Sequence, residues 1–72
     1  MDIQNLVKMA NNIGFFFKSE PDHTLAVASV EQHLKNFWDP RMRVEIINYA
    51  QQGGMELIDI VDEAVHKLAQ QK

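Results

Sequence analysis

Cysteine is missing from all 72 residues, and glycine, proline and tryptophan are scarce, at three, two and one. Without thiolates the chain forms no disulfide, ligates no iron–sulfur cluster and lacks the common structural zinc sets. An absence of cysteine also fits the reducing cytoplasm. No apolar run approaches the ~20 residues of a membrane span. The opening Met1-Asp2-Ile3-Gln4-Asn5 is polar and carries an acid where a signal peptide wants bases. Basic side chains are outnumbered, seven Lys and Arg against ten Asp and Glu, for a net charge of −3. That balance disfavours nucleic acid and anionic membranes as partners. The length allows one domain, 1–72, and the initial Met together with the fit of the first helix is expected to mark a complete small protein. A domain this short buries only ~60% of its unfolded surface, so it needs a partner or very good helix packing.

What is present is helical periodicity. Ile3, Leu6, Val7, Ala10, Ile13 and Phe17 recur at three- and four-residue steps and predict a helix over about Asp2 to Lys18, capped by Asp2. Ser19 to Thr24 reads as a turn with capping chemistry, from a loose Ser19/Asp22 capping box or from Glu20-Pro21. A second helix is expected from about Pro21 to Phe37 or Trp38, with a stripe of Val27, Val30, Leu34 and Phe37 and with Ala26 and Trp38 at its edges. Asp39-Pro40 ends it and starts a third helix, Asp39 as cap and Pro40 at the first position. That helix carries Met42, Ile46, Ile47, Tyr49 and Ala50 and stops at Gly53-Gly54. The fourth, about Met55 to Gln70, presents Leu57, Ile58, Val61, Ala64, Val65 and Leu68. The fold class expected is all-α, a compact array of four short helices.

No nucleophile–base arrangement or phosphate-binding glycine loop accompanies these helices. His23, His33 and His66 are not at paired helical spacing and predict no metal site. Glu56, Asp59, Asp62 and Glu63 suit the dipole at the start of the last helix, as a solvated face or as a dock for basic groups. Two features ask for more. Phe15, Phe16 and Phe17 are consecutive, and neighbours on a helix lie about 100° apart, so they cannot share one face. Phe17 belongs to the core stripe. Phe15 and Phe16 point about 140° and 120° from its centre. Either the array covers two faces of the helix, or the helix frays at Gly14, or an aromatic anchors another subunit. Lys35, Arg41 and Arg43 gather near Trp38 and the Asp39-Pro40 corner, and two arginines near a helix start oppose its dipole. They would pair with Asp39 or with acids of the fourth helix, or make bidentate contacts with carboxylates or phosphates of a partner.

Val7-Lys8-Met9-Ala10-Asn11-Asn12-Ile13-Gly14-Phe15-Phe16 and His33-Leu34-Lys35-Asn36-Phe37-Trp38-Asp39-Pro40-Arg41-Met42-Arg43 resemble the delta subunits of NAD-dependent formate dehydrogenases. The likeness extends over the whole chain, and the segment from Ser19 to Thr24 and the last helix match only in character. It implies a non-catalytic accessory subunit of a cytoplasmic complex. In that family a large subunit carries molybdenum or tungsten on a bis-pyranopterin guanine dinucleotide, plus iron–sulfur clusters. Formate oxidation is coupled there to NAD reduction through flavin in further subunits. The small subunit would bind the large one and support its assembly or activity. Phe15, Phe16, Lys35, Trp38, Arg41 and Arg43 are the expected contacts, and no cofactor or metal is expected in this chain. Two alternatives stay open. One is a maturation factor whose Lys35, Arg41 and Arg43 meet the phosphates of the pterin cofactor; the other is an unrelated self-associating helical protein.

Overall fold

Aspartates decide where three of the four helices begin in the computed structural model, which describes residues 2–70. Asp2 accepts from the Gln4 N–H at 3.0 Å and opens α1 (Ile3–Phe17). Asp22 accepts from the Leu25 N–H at 3.2 Å and opens α2 (His23–Phe37). Asp39 accepts from the Met42 N–H at 3.0 Å and opens α3 (Pro40–Gln51), with Pro40 in the first turn as its fixed φ and missing N–H favour. The last helix, α4 (Asp59–Ala69), has Ile58 at its N-cap and no side-chain cap. No strand occurs among the described residues.

Two boundaries differ from the sequence reading. α2 starts at His23 rather than Pro21, because Asp22, not Ser19 or Glu20, supplies the capping oxygen. α4 starts at Asp59 rather than Met55. Glu56 has a φ of 73°, which ends any right-handed helical path through the preceding residues. The loop is fixed instead by α1: Asn11 donates from Nδ2 to the Glu56 carbonyl at 2.8 Å and accepts at Oδ1 from the Ile58 N–H at 3.0 Å. One side chain thus holds the loop on both sides of Leu57 and sets where α4 begins, although it caps none of the first-turn N–H groups of that helix. Gly54, at a φ of 60°, closes α3 by donating its N–H to the Tyr49 carbonyl at 3.1 Å.

The core is dry. Leu6, Val7 and Ala10 of α1 meet Val27, Val30 and Leu34 of α2, Ile46 and Ala50 of α3, and Val61, Ala64, Val65 and Leu68 of α4. No polar or charged residue among the described ones is buried. α1 does not fray at Gly14. It runs through it, and Gly14 gives the start of α4 room to pack against α1: a Cβ there would stand 2.4 Å from Val61 Cγ2 and 2.7 Å from Ile58 Cδ1. The radius of gyration is 10.9 Å, against about 11 Å expected for a compact chain of this length. No helix among the described residues is long and apolar enough to cross a membrane.

Candidate partner interface

Three phenylalanines in a row end α1, and the helix turns each to a different environment. Phe17 is half-buried against the core, while Phe15 is 54% exposed and Phe16 77% exposed. The other three helices leave that outer side of α1 uncovered. Phe16 rests edge-on against Phe17, ring centroids 5.0 Å apart. Phe17 in turn meets His33 of α2 at 6.3 Å, and His33 lies 4.6 Å from Phe37. Aromatic groups from the ends of α1 and α2 therefore form one continuous ridge. Beside it runs an open groove of about 450 Å³, walled by Phe17, Leu25, His33 and Phe37 with Ala28, Ser29, Gln32 and Asn36 between them.

Phe37 and Trp38 exchange the places that periodicity assigned them. Phe37, expected in the core stripe, is 71% exposed, and Trp38, expected at its edge, is 5% exposed. The cause is the helix end. Trp38 leaves helical geometry, with φ −91° and ψ 140°, so the wheel no longer describes its direction, and its indole fills the core. Phe37 lies back over His33, one turn earlier, as side chains on a helix do. Trp38 accordingly has little surface to offer a partner.

The cations of the corner also separate. Arg43 donates from Nη1 to the Lys35 carbonyl at 3.2 Å and, more closely, to the Trp38 carbonyl. These are orphan acceptors at the C-terminus of α2, where a cation also suits the dipole. The expected pairing of the arginines with Asp39 or with the acids of α4 does not occur among the described residues. Arg43 is a C-terminal clamp on α2, which answers why it sits near the start of α3. Lys35 and Arg41 remain exposed. Two acids of α4 find histidines instead. Glu63 meets His23 of α2 at 3.2 Å, and Asp62 accepts from His66 Nδ1 at its carbonyl at 2.8 Å. No group of three His, Cys, Asp or Glu side chains among the described residues could hold a metal ion.

Sequence reasoning found Phe15, Phe16 and Arg41 as surface groups. It expected Phe37 and Trp38 to bridge core and surface, whereas Phe37 takes the surface and Trp38 the core, and it missed His33 and Leu25 as parts of that surface and Asn11 as the clamp on the loop before α4. A signal for Asn11 was available: a short amide is disfavoured inside a helix unless its side chain has something to bond.

No curated protein and no solved structure matches the chain significantly. A family model described as the NADH-dependent formate dehydrogenase delta subunit, FdsD, matches residues 5–65. The match runs from the first turn of α1 into α4, and takes in the three phenylalanines, the groove along α2 and the whole Asp39-Pro40 corner. The chain belongs to the family of NADH-dependent formate dehydrogenase delta subunits.

Proposed function

We propose that this chain is a non-catalytic accessory subunit that binds the large catalytic subunit of a cytoplasmic formate dehydrogenase and supports its assembly or activity. The observation that carries the reading is the aromatic ridge in which half-buried Phe17 and His33 join exposed Phe16 and Phe37 on an otherwise well-packed domain. Exposed aromatics in contact with one another are the usual anchors of an interface. Phe15 and the exposed Arg41 extend the same role, Phe15 beside the ridge in sequence and Arg41 at the corner beyond Phe37. In this reading the molybdenum or tungsten pterin centre and the iron–sulfur clusters belong to the partner. The donor set here does not fit them, since the chain has no thiolate. A role in handling the pterin cofactor would need its phosphates to meet Lys35, Arg41 and Arg43 together. Arg43 is turned to the carbonyls of α2, which leaves two exposed cations for that task.

The test is capture of the tagged chain from native cells. Recovery of a large metal-containing dehydrogenase subunit, at one copy each in the purified active enzyme, is the expected result. A chain that binds the immature subunit and is absent from the active enzyme would replace this reading with the maturation factor.

A further inference from the structure

We draw no further inference here: the strongest candidate, the open groove along α2 walled by Phe17, Leu25, His33 and Phe37, carries nothing because nothing in the structure shows what covers it.

Discussion

Gly14 shows how closely single residues are fitted here. In an exposed helix interior, alanine would be preferred to glycine by up to about 1 kcal/mol. At this position the added methyl would lie 2.4 Å from Val61 Cγ2, on a fully buried β-branched side chain with little freedom to turn away. Gly14→Ala should therefore destabilise the domain by about 1–3 kcal/mol, overpacking outweighing propensity. Chemical denaturation of the two proteins would measure it, and a gain in stability would mean that α4 can shift. Asp39→Ala removes the oxygen that accepts from the Met42 N–H. It should cost about 0.5–2 kcal/mol, read in the same experiment. An unchanged melting temperature would show that another group caps α3.

At the scale of elements, the two family-like blocks divide between holding the fold and facing outward. In the first, Ala10 is core, Asn11 clamps the loop before α4, and Gly14 admits α4, so that block positions the last helix. In the second, Trp38 is core, Asp39 and Pro40 start α3, and Arg43 closes α2. Phe15, Phe16, Lys35, Phe37 and Arg41 are exposed and open to contact. The four helices were legible because apolar spacing and capping residues are local signals. The start of α4 was not legible, because a loop set by Asn11 from 45 residues away leaves no local mark. The exchange of Phe37 and Trp38 was hidden for a related reason. Wheel arithmetic holds only while the backbone stays helical, and it fails one residue before the cap. Asn11→Ala should loosen α4 more than α1 to α3. Hydrogen exchange would show faster opening of α4 amides, and a uniform change along the chain would contradict the clamp. The global cost should be about 0.5–1.5 kcal/mol for each of the two hydrogen bonds, whose partners are exposed or half-buried.

For the whole molecule, a domain of this size has little stability in reserve, and it still leaves Phe15, Phe16 and Phe37 in water. A separate Phe16→Asp or Phe37→Asp variant should keep its helical circular dichroism, since neither ring is in the core. Each should weaken binding to the large subunit, by about tenfold or more if it is an anchor. Phe15→Ala and Arg41→Glu test the flanks of the same surface. Wild-type recovery and wild-type formate-dependent NAD reduction in all four variants would move the interface to another face, with the acidic side of α4 as the remaining choice. A pattern in which only Arg41→Glu fails would make the corner, not the ridge, the principal contact.

The aromatic ridge of Phe16, Phe17, His33 and Phe37 also fixes how such a complex should respond to its surroundings. Screening by salt weakens contacts between exposed charges and leaves apolar ones largely untouched. Burying apolar surface lowers the heat capacity, and the resulting attraction fades on cooling. Titration calorimetry of the two subunits should thus give nearly the same affinity at low and moderate ionic strength, with a negative heat-capacity change. A complex held mainly by Arg41 would behave in the opposite way, loosening steeply as salt is added. The same surface predicts that chilled preparations are a poor place to keep the enzyme whole, whatever their salt.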